Sequence, residues 1–341
     1  APSHGIPFSD AVRVWARIAA LSFGGPAGQI AIMHRILVEE KRWIGEAIGY
    51  GPYRDGQFPG GPAPTRAQVR EDLRLMVRHW NLIRLYGAVG PADTILSVIR
   101  AERIPIKVVL GAWIQPEARR DSNDVVLEQL PEGQAANSRE VGAAVRLAAE
   151  YPGIVTGICV GNETQVSWSG NRVPTALLVS RIREVRARVR VPVTTADDLL
   201  YWKLPESRAL ASELDFVITH LHPLWAGQTL DGALAWTRAN FEVVRAMHTG
   251  RDIVIGETGW ASARLNTGEQ GRLIHGRTGE EEQAAFCGAA AAWARRAHVI
   301  TLFFEAFDEN WKGGQDRDEV EKHWGFFRAD RTPKQVVSVS E

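Results

Sequence analysis

The sequence predicts an α/β chain: a (β/α)8 TIM barrel over residues 48–341, preceded by an N-terminal helical extension over residues 1–47. Three observations predict it. Eight short apolar runs, most of them rich in β-branched residues, recur after residue 47. Segments with helical periodicity lie between them without a break. No glycine-rich fingerprint follows the first run, which leaves an open dinucleotide-binding sheet without support. Strands that are apolar on both faces are buried on both faces, as in a parallel sheet covered by helices. Eight strand–helix units over roughly 290 residues match a closed barrel better than an open sheet.

The expected strands, in order, are 48–50, 82–86, 106–110, 154–160, 191–195, 214–220, 253–257 and 299–305. The runs Ile-Val-Thr-Gly-Ile-Cys-Val at 154–160 and Ile-Val-Ile-Gly-Glu at 253–257 carry the pattern most plainly. The expected helices include 65–79, 138–150, 174–188, 231–248 and 279–296, several opened by a residue suited to the N-cap or the N1 position. In such a barrel the interior is filled by side chains and the βα loops converge at the C-terminal ends of the strands, so polar residues at those ends are the candidates for chemistry. The ends offer Tyr50 and Tyr53, Arg84 and Tyr86, Trp113, Asn162 and Glu163, and Asp197 and Asp198. Further on come His220, His222 and Trp225, then Glu257 and Trp260, then Glu305, Asp308, Glu309, Trp311 and Lys312.

Composition narrows the partner. The 341 residues are 45% hydrophobic and 23% charged, enough for a sizeable core in one large domain, with or without an appendage. Forty basic residues balance forty acidic ones, so no global field favours nucleic acid, an anionic membrane or a highly charged substrate. Twelve tryptophans supply flat apolar faces that suit sugar rings, although most tryptophans simply pack. Cys159 and Cys287 are too few for a disulfide framework, and Cys159 sits inside an apolar run, where a buried inert thiol is expected. The chain opens Ala-Pro-Ser-His without methionine or a tripartite leader, which leaves its natural start and its compartment open.

Two segments stand out. Val-Gly-Asn-Glu at 160–163 and Gly-Glu-Thr-Gly-Trp at 256–260 each place a glutamate directly after a β run, and a barrel brings both carboxylates into one mouth. Paired carboxylates across a cleft are what glycosidic bond cleavage requires. His220 and His222 alternate on a strand and share one face, but no third ligand completes a metal site, and none is expected.

These two segments, with Phe-Glu-Ala-Phe-Asp-Glu-Asn-Trp-Lys at 304–312, Glu-Lys-His-Trp-Gly at 321–325 and Tyr-Gly-Pro-Tyr-Arg-Asp-Gly at 50–56, resemble glycoside hydrolase family 17, in particular its small bacterial members. The resemblance runs over about 48–334. It implies a (β/α)8 barrel, activity on β-1,3-glucan with retention of configuration, and no cofactor. By the same resemblance Glu163 is the general acid and base, Glu257 the nucleophile, and Asn162 the partner of the sugar 2-hydroxyl. Glu309 and Lys312 brace the site, with Lys312 helping to keep Glu257 ionised. Tyr50, Arg84, Tyr86, His220, Trp225, Trp260, Glu305 and Trp311 complete the expected substrate-contacting set, with Trp225 and Trp311 as the sugar-stacking faces. Glu305, Glu309 and Lys312 divide between substrate contact and a structural ion-pair network, and Asp197 and Asp198 between helix capping and substrate binding. The chain departs from the family at His222, where tyrosine is more usual, and at Ala226, where bacterial relatives tend to carry glutamate; both bear on subsite preference. A β-1,3-glucanosyltransferase and a non-catalytic glucan-binding barrel are the alternative readings, and the two intact glutamates speak against the second.

Residues 1–47 stand outside that resemblance. Phe-Gly-Gly-Pro-Ala-Gly-Gln-Ile-Ala-Ile-Met-His at 23–34 and Leu-Val-Glu-Glu-Lys-Arg-Trp-Ile at 37–44 resemble the N-terminal stretch of chromate transporters, over a fragment only. The uncharged run 18–33, broken by Gly24, Gly25 and Pro26, is short for a membrane span. A fusion remnant is expected there, with a membrane-surface or partner-binding helix as the alternative.

Overall fold

Eight parallel strands close on themselves in the computed structural model, which describes residues 46–121 and 123–339. The strands are β1 (Glu46–Gly49), β2 (Trp80–Arg84), β3 (Lys107–Ala112), β6 (Val155–Asn162), β7 (Val193–Asp198), β8 (Phe216–His220), β9 (Asp252–Thr258) and β10 (Thr301–Phe303). Around the barrel they run β1-β10-β9-β8-β7-β6-β3-β2, every neighbouring pair parallel. Each expected run finds its strand, shifted by a few residues at the ends. The barrel begins with the residues just before the expected seam. The reading of residues 1–47 as a transporter-like arm falls on residues outside those described, apart from the last two.

The helices are α1 (Arg66–Met76), α2 (Ala92–Glu102), α3 (Pro131–Glu150), α4 (Thr175–Arg186), α5 (Leu199–Trp202), α6 (Ser207–Ser212), α7 (Leu230–Met247), α8 (Gly268–Leu273), α9 (Glu280–Ala297) and α10 (Gln335–Val339). Local chemistry sets several ends. Thr65 and Gln68 form a capping box that satisfies free N–H groups at the start of α1. Three glutamates in the first turn of α9 and Arg295 and Arg296 in its last turn complement the helix dipole. Helix α3 starts at Pro131, earlier than expected, with proline at the position where its missing N–H costs nothing. A small antiparallel hairpin, β4 (Ala118–Arg120) with β5 (Val126–Gln129), sits in the loop between β3 and α3 and was not anticipated. Its strands are mostly exposed, so neither carries the buried periodicity by which the barrel strands were found. No helix among the described residues is long and apolar enough to cross a membrane.

The core has two layers. The large one packs helices on the outer faces of the strands, with residues such as Val69, Leu96, Leu147, Ile182, Phe241 and Phe286. The small one fills the barrel axis: Ala47, Val109, Cys159, Ala196, Ile218, Val254 and Leu302 each come from a different strand, with Leu82 packed against them from β2. Two residues above Leu82 and Ile218, on the same inward face, stand Arg84 and His220. Strand registers bring the ends level: Gly49 pairs with Arg84, Asn162 with Ala196, and His220 with Glu257. A plug of apolar side chains thus forms the floor on which the polar residues rest.

Candidate active site

Arg84, the last residue of β2, is the hub of that polar layer, and it is only 1% exposed. Its Nη1 donates to Glu257 Oε1 at 3.1 Å and lies 3.1 Å from His220 Nε2. Its Nη2 donates to Asn162 Oδ1 and reaches Cys159 Sγ at 3.8 Å. The Tyr86 ring lies 4.9 Å from the guanidinium carbon. His220 Nδ1 meets Glu163 Oε1 at 2.9 Å. Nε2 thus faces the Arg84–Glu257 pair and Nδ1 faces Glu163. One imidazole therefore ties the end of β6 to the Arg84–Glu257 pair.

Both glutamates owe their positions to backbone geometry. Glu163 directly follows β6 with a φ of 52°, in the left-handed region, two residues after Gly161 at 79°. Its N–H still donates to Ala196 O at 2.9 Å, so the chain turns out of the strand without leaving the barrel rim. Before Glu257, Gly256 is required by close approach: a Cβ there would lie 2.0 Å from Ile218 Cγ2 and 3.2 Å from the His220 ring. Carboxylate oxygens of Glu163 and Glu257 come within 4.8 Å of each other, the spacing of two acids on either side of one glycosidic bond. Their environments differ, with the Glu163 side chain 20% exposed and that of Glu257 7%.

Electrostatics separates the two further. Burial pushes the Glu257 carboxyl up, but His220, the hydrogen bond from His222, and Arg84 together outweigh it and hold the group well below the usual carboxylate range. His222 Nε2 lies 3.3 Å from Oε2, the oxygen that Arg84 leaves alone. The His222 ring is held edge-on against Trp324 and Phe304. Behind Glu163, Asp197 accepts the backbone N–H groups of Gln165 at 2.8 Å and Asp198 at 2.9 Å, and burial raises its carboxyl to about 7. Asp198 caps α5 through the N–H of Leu200. Of the two expectations for this pair, capping therefore describes Asp198, while Asp197 supports the loop that carries Glu163.

Glu163, His220 and Glu257 are also the described residues whose ligand atoms cluster closely enough for a metal ion. The Arg84 guanidinium already lies at hydrogen-bond distance from two of the three, so a second positive charge there would be repelled.

Several expected contacts are placed differently. Tyr50 is 1% exposed, and its hydroxyl donates to Asp72 Oδ2 at 3.0 Å, so it belongs to a buried network rather than to the cleft. Trp260 is fully buried, packs on Phe286 and spends its N–H on Arg277 O at 2.8 Å, which leaves it no face for a sugar. Lys312 does not touch Glu257. It donates to Glu305 at 2.6 and 2.7 Å and pairs with Glu309 at 2.9 Å, so the cation beside Glu257 is Arg84. Trp311 is 40% exposed beside Tyr53, and Trp225 is half-buried with its N–H on Glu321. The role of Arg84 as hub and the contact between His222 and Glu257 were not foreseen, because both depend on which strands become neighbours in the closed barrel. The Glu321–Trp225 bond was missed too, although Glu321 opens the motif at 321–325.

The profile of the BtgE/BtgC glycoside hydrolase domain matches residues 47–325. The chain belongs to that family. This glycoside hydrolase is 26% identical over 278 residues to the glucan 1,3-beta-glucosidase of Schizosaccharomyces pombe, a match covering 77% of this chain and 78% of the yeast protein. It is 28% identical over 300 residues to the probable glucan endo-1,3-beta-glucosidase btgC of Aspergillus flavus, covering 82% of this chain but only 41% of that longer protein. Among solved structures, an endo-laminarinase from Formosa Hel1_33_131 superposes with a TM-score of 0.71 at 25% identity, over 86% of this chain and 85% of that one. The family 17 beta-1,3-glucanosyltransferase of Rhizomucor miehei, at 23% identity, shares the fold with a TM-score of 0.67 over 86% of this chain and 96% of its own. The match begins at residue 47, so the transporter resemblance of the preceding residues receives no support from it.

Proposed function

We propose that this glycoside hydrolase is a retaining enzyme of the family 17 type that cleaves β-1,3-glucosidic bonds in β-glucan through a glycosyl-enzyme intermediate. The observation that carries the reading is the pair of carboxylates within 4.8 Å across the barrel mouth, one held ionised and one more open to solvent. That spacing leaves no room for a water between acid and sugar, as an inverting mechanism needs, and suits direct attack by one carboxylate. Glu257 is the nucleophile: its oxygen bonds to the anomeric carbon as the bond to the leaving oxygen breaks. Glu163 gives its proton to that leaving oxygen. In the second step Glu163 takes a proton from water, the water oxygen bonds to the anomeric carbon, and Glu257 leaves as a carboxylate. Arg84 keeps Glu257 charged and aimed, and Asn162, fixed by Arg84, faces the 2-hydroxyl. The substrate assignment is supported by the activities for which the yeast and Aspergillus relatives and the laminarinase are named.

A product time course of the purified chain on β-1,3-glucan and its oligosaccharides, with Glu257→Ala beside it, tests the reading. Shorter products that vanish in the variant are expected. Longer products that vanish with it would make the enzyme a glucanosyltransferase on the same site. Glucan binding with no turnover in the parent would leave a binding barrel and overturn the catalytic reading.

A further inference from the structure

We propose that the pocket between the loop after β10 and the C-terminal segment, with Lys322 and Asp308 in its wall, binds a small hydroxylated anion, a molecule carrying one carboxylate or phosphate group beside its hydroxyls. The site stands independently of the glycosidase reading: neither glutamate of the carboxylate pair lines it, and neither does Arg84.

Three observations carry it. The pocket encloses about 660 Å3, within the range of small-molecule sites, and Asp55, Ser262, Asp308, Arg317, Lys322 and Lys334 are among the residues around it. Lys322 is 6% exposed, yet the ammonium gives one hydrogen bond, to Gly314 O at 2.7 Å, and no carboxylate among the described residues lies within salt-bridge distance of it. Two of its three N–H donors are therefore unused. Asp308, also 6% exposed, spends one oxygen only: Oδ1 accepts the Gly325 N–H at 2.8 Å and Lys334 Nζ at 2.7 Å. Its Oδ2 accepts from no described residue and is not sealed from solvent. The support beneath is fixed, because Lys334 also donates to Ser262 Oγ at 2.8 Å and His323 O at 3.2 Å, which uses all three of its protons.

The unspent groups give the ligand class. Lys334 is balanced by Asp308 and Arg328 by Glu280, which leaves Lys322 and Arg317 as the cations of the pocket without an ion pair among the described residues. The remaining acids already have neutral donors: Asp55 accepts from Asn310 Nδ2 at 2.7 Å, and Asp330 from the Thr332 N–H at 2.9 Å and hydroxyl at 2.6 Å. Both are exposed, where solvent and salt screen them far more than the buried ammonium. A buried cation with one backbone acceptor is costly, and an oxyanion supplies both the charge and the acceptors it lacks. The free oxygen of Asp308 would repel a bare anion and accepts from a hydroxyl instead, so the two groups together select a molecule that carries both.

The test titrates the full chain with gluconate, glucose 6-phosphate, inorganic phosphate and neutral sorbitol by calorimetry, and follows the melting temperature. Gluconate, glucose 6-phosphate or both should bind at least about tenfold tighter than inorganic phosphate and sorbitol, and the two arms tell carboxylate from phosphate. At ten times its dissociation constant the bound anion should raise the melting temperature by roughly 3 °C. Lys322→Met, which keeps the length and removes the charge, should loosen binding at least about tenfold, while Lys322→Arg stays within about threefold and Arg317→Ala falls between. Saturating β-1,3-linked gluco-oligosaccharide in a Glu257→Ala background should leave the anion's affinity unchanged. The proposal is overturned if neither hydroxylated anion binds the parent at 10 mM, roughly the weakest affinity of interest, or if sorbitol binds as tightly. Binding that survives Lys322→Met overturns it as well, and so does displacement by the gluco-oligosaccharide, which would place the anion in the glucan cleft. A chain that binds the anion without cleaving glucan would leave this site standing and the glycosidase reading refuted.

Discussion

Two buried carboxylates each meet arginine, and they do opposite things. Asp72, on α1, is saturated: Oδ1 accepts from Arg331 Nε at 2.8 Å and Arg54 Nη2 at 3.0 Å, and Oδ2 from Arg331 Nη2 at 2.8 Å and Tyr50 at 3.0 Å. Every lone-pair direction is used, and the group locks the β1 loop to the C-terminal segment around Arg331. Glu257 receives one guanidinium N–H on Oε1, while Oε2 has only the longer contact from His222 at 3.3 Å. The same chemistry yields a rivet when every acceptor site is filled, and leaves one oxygen in reserve, as the proposed role of nucleophile needs, when it is not. What decides between them is the fork of the arginine, bidentate on Asp72 and shared among Glu257, His220, Asn162 and Cys159 at Arg84.

The largest expected effect tests the open half of that contrast. Glu257→Ala should lower turnover of β-1,3-glucan by about a thousandfold or more while the chain still folds; an active variant would break the distinction at once. Asp72→Ala should do the reverse, with a loss of about 3–5 kcal/mol in denaturant unfolding, since Arg331 is left buried and unpaired. Unchanged stability would show that the filled network is ornamental.

Asp197 sharpens the comparison through pH. Its folded pKa, raised to about 7, exceeds the unfolded value of about 3.9, so the folded state binds the proton more tightly. That contribution is fully present below about pH 4 and is lost as pH rises toward 7. Asp197→Asn lacks the titration and loses one backbone acceptor, so its stability deficit should shrink on the order of 3 kcal/mol between those limits. Melting curves across that range check it, and a gap that widens with pH refutes it.

Arg84→Met removes a group that holds the Glu257 carboxyl down. The acid limb of kcat/KM should move to higher pH, and the plateau should fall about a hundredfold. A limb that stays put would assign the control of Glu257 to the histidines. The smallest effect is expected at Trp311, whose exposed face offers stacking: Trp311→Ala should raise KM roughly threefold with no change in melting temperature.

The barrel was legible because its signal is local. Buried parallel strands are continuous apolar runs, and each of the eight can be read from a few consecutive residues, as at 154–160 and 253–257. The exposed hairpin of β4 and β5 has no such signal and was missed. Of the proposed site residues, Glu163 and Glu257 stand at strand ends, a one-dimensional property that the sequence displays by itself. Tyr50 and Trp260 share that property and are nonetheless buried, because a strand-end side chain can turn into the cleft or behind it.

Residue order by itself therefore determined the (β/α)8 architecture and the pair of acids at its mouth. Tertiary structure alone decided the partners: Arg84 rather than Lys312 beside Glu257, His220 between the two glutamates, and Glu321 on Trp225. The physical reason is range. Strand and helix follow from neighbours along the chain, whereas a hydrogen bond between residues 84 and 257 exists only after the sheet has closed and its register has brought those two ends level.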